Sequence, residues 1–322
     1  MKKIIFIVSL FLAATAYSQE SGSFRVKTDN SGVEVIEYLV DVPKQSIVLN
    51  FGYNIPFINN SLTKSDFWNK KTGAGIDFSV DYRHQFQKRA IEDEVVIRVP
   101  TMFAAGAGLG IRYLHKSIWF NNYEDVLKNY TDKDDDKCDV HLNYKNVKET
   151  ASLTYLDIPL YVEVGKLDRM KPSGFFKLGF TPSILISKTL DYEGAYTASG
   201  HYSKINGETV DVIIDDKPIL GYFDKEQPCY DNPEQDLSSF VLWGTISGGV
   251  NFPFSDLEKG KSANWILRIS AKMDYSLTPI SKELPESGFT GSAFRLNQSN
   301  MLGGDGSRVF SIGVMVGLIY CL

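Results

Sequence analysis

The stretch Phe310-Ser311-Ile312-Gly313-Val314-Met315-Val316-Gly317-Leu318-Ile319-Tyr320-Cys321-Leu322 decides the reading of this chain. Phe310, Ile312, Val314, Val316, Leu318, Tyr320 and Leu322 share one parity, and Ser311, Gly313, Met315, Gly317, Ile319 and Cys321 share the other. Successive side chains on a strand point to opposite faces, so one face is large and apolar and the other mostly small. In water such a strand invites edge pairing. As the closing stave of an outer-membrane barrel, it turns its large face to lipid.

The N-terminus fits export. Lys2 and Lys3 form a positive start, Ile4 to Ala14 a short apolar run, and Ala16-Tyr17-Ser18 a small-residue cleavage pattern before Gln19. Residues 1–18 therefore read as a signal peptide, too short for a comfortable membrane helix. No Cys follows the apolar run, so a lipoprotein anchor is not indicated. Residues 19–44 read as a periplasmic extension, with a small hairpin about Asp29-Asn30-Ser31-Gly32 whose first strand is too short to span; a plug is the alternative.

Composition narrows the function classes. The chain has 322 residues, of which 43% are hydrophobic and 23% charged. Those proportions resemble a soluble protein, but a barrel escapes hydropathy because only alternate residues face lipid. An aromatic content of 13% suits strands and interfacial girdles. A net charge of -5 argues against nucleic acid as a partner. Three Cys and four His, with neither CxxC nor HExxH, offer no metal motif, and no cofactor is expected.

Seven further segments alternate like the last. Their large-residue faces begin at Ile47-Leu49-Phe51, Ile76-Phe78-Val80, Phe103-Ala105-Ala107, Leu156-Ile158-Leu160, Phe176-Leu178-Phe180, Leu242-Ile246-Val250 and Trp265-Leu267-Ile269. Short connections follow the second, fourth and sixth segments and long ones the others, as periplasmic turns and extracellular loops do. A soluble sandwich or lipocalin has no reason to collect every long loop at one end. The fold expected is all-β: a transmembrane, antiparallel, eight-stranded up-and-down barrel over 45–322. Its large extracellular loops are expected near 117–149, 190–238 and 277–306.

Three stretches carry a family resemblance: Tyr155-Leu156-Asp157-Ile158-Pro159-Leu160, the glycine-rich Gly106-Ala107-Gly108-Leu109-Gly110-Ile111-Arg112-Tyr113, and the strand from Gly313 to Tyr320. In these the chain resembles the eight-stranded outer-membrane barrels of Bacteroidetes, the PorT-like group. The resemblance implies a fold and an outer-membrane location rather than a reaction.

An eight-stranded barrel is just wide enough for its own side chains to fill. The lumen parity carries Asp77, Asp81, Arg83, Arg112, Asp157, Glu163, Lys177, Arg268, Lys272 and Asp274, five acidic and five basic. Buried charges of both signs must pair, so the expected arrangement is a salt-bridge plug, with a proton or ion path as the sharper alternative. Pro159 lacks a ladder donor and marks a bulge or break.

The expected loops look structured. Asn206-Gly207 between two alternating runs signals a hairpin, and Val140 to Val147 is extended. The cluster Asp132, Asp134, Asp135, Asp136 and Asp139 lacks the Gly and Glu of a calcium loop at the required offsets, so it reads as a solvated acidic loop. His115 and Ser117, outward near the upper rim, resemble the catalytic pair of outer-membrane lipid A deacylases, in which a His base activates a Ser nucleophile. The orienting acid would be Glu124 or Asp125. Cys138 and Cys229 fall in two different long loops on the oxidising side, and a disulfide between them is expected, with Cys321 left free.

Together these readings describe a non-enzymatic outer-membrane barrel, porin-like in fold, that displays structured loops at the cell surface. Surface interaction, envelope structure, or a place as a subunit of an export or gliding machine would be its work. A lipid A deacylase using His115 and Ser117 is the alternative. The partners expected are outer-membrane lipid and lipopolysaccharide, with a surface or envelope protein besides.

Overall fold

The computed structural model describes residues 24–28, 34–38, 42–59, 68–70, 72–92, 95–205, 208–220, 222–230, 236–254, 264–282, 294, 296, 298–302 and 306–322. The expected signal peptide lies outside the described residues. Two short strands, β1 (Phe24–Thr28) and β2 (Glu34–Tyr38), pair antiparallel in a sheet of their own.

The remaining strands build a closed ring, with β4, β10 and β11 flanking it. They are β3 (Gln45–Asn59), β4 (Asn69–Lys70), β5 (Ala74–Glu92), β6 (Val95–Thr131), β7 (Lys137–Asp157), β8 (Leu160–Val164), β9 (Ser173–Ile205), β10 (Glu208–Ile214), β11 (Phe223–Pro228), β12 (Phe240–Pro253), β13 (Trp265–Ser276) and β14 (Arg308–Cys321). Around the ring the antiparallel order is β3, β5, β6, β7 continued by β8, β9, β12, β13 and β14, and β14 pairs back onto β3. Eight staves thus close with no free edge, the arrangement that satisfies every ladder group inside a membrane. Among the described residues no helix is long and apolar enough to cross a membrane; strands do the crossing.

Side-chain direction shows which solvent each face meets. The outward parity exposes Leu49, Phe51, Phe78, Val80, Leu109, Ile111, Leu178, Phe180, Ile269, Val314 and Val316. The inward parity buries Asn50, Asn54, Asp77, Asp81, Arg83, Arg112, Glu163, Arg268 and Asp274. A soluble barrel has the opposite arrangement, so the exterior is that of an outer-membrane barrel. On β14 the outward run from Phe310 to Tyr320 covers eleven residues, ten steps of the strand. That is about 33 Å of strand, and about 25 Å of height at a tilt near 40°, which matches a hydrocarbon belt. Aromatic rings mark both ends of the belt. Trp265 and Tyr320 lie 4.8 Å apart at the lower rim, and Phe57 and Phe310 lie 6.2 Å apart at the upper.

Above the upper rim three staves keep going, and their pattern inverts. On β6 the outward residues are Leu109 and Ile111, then Tyr113, then His115 and Ser117, while the buried inward residues change from Arg112 to Leu114, Ile118 and Phe120. On β7 the inward side runs from Asp157 and Tyr155 to Leu153 and Ala151, and the outward side from Leu156 to Thr154, Ser152 and Thr150. A strand leaving lipid for water must exchange its faces, because the apolar side now needs cover and the polar side water. Within the segments expected as loop, 117–131, 137–149 and 190–205 are strand. β6 and β7 form one tall hairpin that pairs from Gly110–Asp157 up to Thr131–Lys137, and β9 rises beside β7 to pair Tyr202 with Cys138. Midway, Asn121 and Asn122 on β6 and Lys145 and Asn146 on β7 are all exposed, and the parity of both strands shifts by one. Opposite this point Gly194 takes φ 146°, and an added Cβ would sit 2.9 Å from Val147. A bulge of this kind bends and twists the pair.

Other connections follow the expected pattern. β5 and β6 pair out to Glu92–Val95, in keeping with the short connection expected after the second segment. Ile205 pairs with Glu208 across Asn206-Gly207, whose own residues lie outside the described ones. The fourth stave is interrupted between Asp157 and Leu160, at Ile158-Pro159. The Pro159 carbonyl still accepts from Gly108 N at 3.0 Å, and Ile158 N donates to the Pro182 carbonyl at 2.9 Å.

Candidate functional site

The lumen is a stack of paired charges. In one layer Glu163 accepts from Arg83 Nε at 2.9 Å and from Arg268 Nη1 at 2.7 Å. Arg268 also lies over the Phe175 ring at 3.8 Å and donates to Asn251. In the next, Lys177 is 3.7 Å from Asp81 and 4.0 Å above the Tyr161 ring, while Asn50 donates to Asp81 at 2.9 Å. A third layer gathers Arg112 with Asp157 at 2.9 Å, Asp77 at 3.7 Å and Asp274 at 3.6 Å. Lys272 bridges Asp77 and Asp274 at 2.9 and 3.0 Å. All ten residues of the expected lumen set lie in this stack. The glycines of β6 make room for it: a Cβ on Gly106 would fall 2.3 Å from the Tyr161 ring. Among Asp77, Asp81, Arg112, Asp157, Tyr161, Lys177 and Lys272 a cavity of about 40 Å³ remains, room for a water or two.

Apolar layers close the stack at both ends. Below, Leu167 from the turn between β8 and β9 packs with Val48, Ile266, Ile319 and Cys321. Above, Trp243 and Tyr155 are fully buried, edge to face at 6.1 Å, and the Arg112 guanidinium lies 4.3 Å from the Trp243 ring. From there the apolar packing continues into the sheet beyond the rim. Leu153, Val241 and Val309 lead to Ile118, Phe120, Val140, Leu142, Tyr144, Ala198 and Phe294. Phe294 packs on Tyr144 at 4.6 Å, and Trp68 packs on Phe120 at 4.9 Å. The upper part of the molecule is thus a β-sheet with its own aromatic core.

Within that core sits a carboxylate that the sequence reading passed over. Glu149 is fully buried and accepts five hydrogen bonds: Tyr230 OH at 2.7 Å, Ser299 Oγ at 2.8 Å, Asn300 N at 2.8 Å, Asn300 Nδ2 at 3.0 Å and Met301 N at 2.8 Å. Its signal was present, since Glu149 shares the parity of Val147, Ala151 and Leu153 and stands alone among them as a charge. Burial, and then the adjacent Glu149 charge, hold the Tyr230 phenol protonated well above its ordinary range. Higher up, Tyr202 donates to Asp132 Oδ2 at 2.6 Å and lies 3.0 Å from Tyr222 OH, which is 3.2 Å from Cys138 Sγ. The other oxygen of Asp132 accepts from Asp134 N and Asp136 N at 2.8 and 3.0 Å. Asp132 is therefore a buried turn cap rather than part of a solvated acidic loop.

His115 and Ser117 do not bond to each other. His115 Nδ1 pairs with Ser152 Oγ at 3.0 Å, which Tyr113 OH also reaches at 3.2 Å, and Ser117 Oγ pairs with Thr150 Oγ1 at 3.1 Å. The acids expected behind the imidazole, Glu124 and Asp125, pair with Asn143 and Leu142, many rungs higher on the hairpin.

The expected Cys138–Cys229 disulfide is a correction. Cys138, Cys229 and Cys321 are all free and buried. Cys138 stands opposite Tyr202 on β9, whereas Cys229 N donates to the Gly194 carbonyl. Eight residues of one strand separate those anchor points, about 26 Å at the usual rise. A disulfide needs Cα atoms within about 7 Å. Cys138 lies at the head of β7 and Cys229 just past β11, at different heights of one sheet rather than in two adjoining loops.

No family model matches the chain, and no curated protein matches it. Among solved structures the chain is similar to Ail, the attachment invasion locus protein of Yersinia pestis, in complex with the heparin analogue sucrose octasulfate: 9% identity over 86% of this chain and 99% of that one, TM-score 0.27. It is similar to the outer membrane protein OprG from Pseudomonas aeruginosa at 8% identity, over 88% of this chain and 98% of that one, TM-score 0.31. A third is the translocator domain of the autotransporter NalP from Neisseria meningitidis, at 7% identity over 99% and 96%, TM-score 0.22. These likenesses go no further than the barrel fold described above.

Proposed function

We propose that the protein is an integral outer-membrane barrel, closed to solutes, whose work is done by the folded sheet it holds above the membrane. Its 1–18 segment serves as the export signal and 19–44 as a periplasmic extension. The observation that carries this reading is the continuation of β6, β7 and β9 past the apolar belt into an aromatic-cored sheet with a polar outer face. A barrel needs no such superstructure to be stable; rigid, sequence-specific surface above a membrane serves recognition. The paired lumen and its two apolar ends speak against transport, since among the described residues neither leaves a continuous polar path. The likeness of the Gly106–Tyr113, Tyr155–Leu160 and Gly313–Tyr320 stretches to the PorT-like group supports the same location. Such a sheet fits the binding of another surface or envelope protein, and a subunit of an export or gliding assembly is one form of that role.

Orientation is the test. An epitope inserted in the 133–135 turn at the head of the β6–β7 hairpin is expected to bind antibody on intact cells. The same epitope at 169–171, in the short turn before β9, is expected to bind only after permeabilisation. The reverse result overturns the reading.

A further inference from the structure

The outer wall of the β6–β7 hairpin carries a groove just where the belt ends. His115, Ser117 and Trp119 on β6 and Lys148 and Thr150 on β7 line an open hollow of about 510 Å³. Register stacks these side chains in rungs: His115 opposite Ser152, Ser117 opposite Thr150, Trp119 opposite Lys148. The hydroxyls and the imidazole are already fixed by cross-strand hydrogen bonds, Tyr113 to Ser152, His115 to Ser152 and Ser117 to Thr150. Fixed donors and acceptors lose little freedom when a ligand binds.

What lies beneath identifies the kind of ligand. The rung below Tyr113 and Thr154 is Ile111, Leu156 and Ile184, at the top of the lipid-facing belt. Polar groove and apolar stripe are therefore continuous on one face of the wall. The complement is an amphiphile whose head lies among hydroxyls and whose chains run down the belt. Trp119 beside a row of hydroxyls suits a sugar ring, because an indole offers a flat apolar face next to polar handles. Lys148 is an exposed ammonium at the same height, 3.4 Å from the Glu193 carboxylate. A lysine so placed acts as a point charge for phosphate. Asp191 and Glu193 stand on the β9 side of the same rungs, opposite Thr150 and Lys148, and repel an anion there, which confines phosphate to the β6–β7 half.

On this geometry, and resting on the outer-membrane reading above, we infer that the groove of His115, Ser117, Trp119, Lys148 and Thr150 binds the phosphorylated sugar headgroup of an outer-leaflet glycolipid. Occupancy would tie the base of the tall hairpin to the leaflet and set the angle at which the sheet stands. A soluble protein partner fits this place less well, because headgroups occupy the space a protein would need.

The test uses the full chain in nanodiscs of phosphatidylethanolamine and phosphatidylglycerol doped with bisphosphorylated lipid A. Native mass spectrometry after ejection from the disc counts the lipids retained. Wild type is expected to keep lipid A in preference to phosphatidylglycerol. Trp119→Ala and Lys148→Gln are each expected to lower that retention roughly fivefold or more, while Lys217→Gln, near the head of the hairpin, leaves it unchanged. Lys148 is exposed, so Lys148→Gln keeps the fold even where Trp119→Ala disturbs it. Equal retention in wild type and Lys148→Gln, or equal retention of lipid A and phosphatidylglycerol, overturns the inference while leaving the barrel reading intact. Failure of the wild-type chain to insert into any disc overturns both.

Discussion

Ser299 donates to the Glu149 carboxylate at 2.8 Å across 150 residues of chain. With Asn300 and Met301 it forms a small cradle of donors that binds the segment before β14 to the inner face of β7. A charge buried without five donors would cost several kcal/mol. With them it becomes a clamp that holds the cover of the upper mouth in place.

Replacing Glu149 by Ala leaves those donors buried and unmatched, at about 1–3 kcal/mol each where water cannot reach them. The expected outcome is local. Protease cuts appear at 298–302 in the folded variant, and its barrel melts as wild type does by heat-dependent gel mobility. Protection equal to wild type would show that the clamp is dispensable.

Glu163 lies between Arg83 and Arg268, with all three buried. Glu163→Gln removes the one carboxylate of that layer and strands two guanidinium charges. Breaking a buried pair from one side costs about 3–5 kcal/mol, so the urea midpoint of the variant in detergent is expected to fall clearly. Glu226→Gln, which breaks the exposed pair with Lys145 at 2.8 Å, is expected to move it little, since such pairs contribute about 0–1 kcal/mol. Equal shifts in the two variants would contradict the layered lumen.

A closed lumen predicts silence in a planar bilayer. Trp243 and Tyr155 pack above the charged layers and Leu167 with Ile266 and Ile319 below them, and the proposed closure rests on these two apolar ends. Purified chain is expected to insert without resolved conductance steps in 1 M salt. Reproducible steps with an ion preference would favour the ion path over the plug.

The eight crossings were legible because lipid and lumen impose opposite chemistry on alternate residues, as from Phe310 to Tyr320. The height of the sheet was hidden for the same reason. At Tyr113 the apolar parity of β6 changes sides, from Leu109 and Ile111 to Leu114 and Ile118. A reader following one parity sees a strand end there, although the backbone continues. Lumen charges could be assigned from parity alone, whereas their partners depend on shear and tilt, which no local pattern encodes. Glu149 was readable as an isolated charge on an apolar face. Its donors at 299–301 were not, since nothing in the sequence aligns positions 150 residues apart.

The deacylase alternative predicts a chemical trace in lipid A. His115 pairs with Ser152, and Ser117 with Thr150, so the imidazole is not set on the Ser117 hydroxyl as a general base would be. Expression of the wild-type chain in a host with unmodified lipid A is expected to leave its acyl pattern unchanged by mass spectrometry. Loss of one acyl chain upon expression would restore the enzyme reading.

The cysteines give the last prediction. Burial, followed by the Glu149 charge, pushes the Cys229 thiol up to about 12 from an ordinary 9.0, and burial also raises Cys138. Both are therefore protonated and poorly nucleophilic at neutral pH. At pH 8 the folded protein is expected to resist maleimide at both positions, and the urea-denatured chain to release three free thiols. The sign of the pH dependence follows from linkage. Between pH 9 and 12 the unfolded chain has lost the Cys229 proton and the folded chain keeps it, so the stability contributed by this group is whole below pH 9 and declines as pH rises through that window. Cys229→Ala is expected to remove part of that alkaline decline in urea titrations of the upper sheet and to change nothing at pH 7 to 8 beyond a constant offset. A Cys138–Cys229 bridge recovered by non-reducing peptide mapping would sink the prediction, and with it the register that anchors the two cysteines about 26 Å apart along β9.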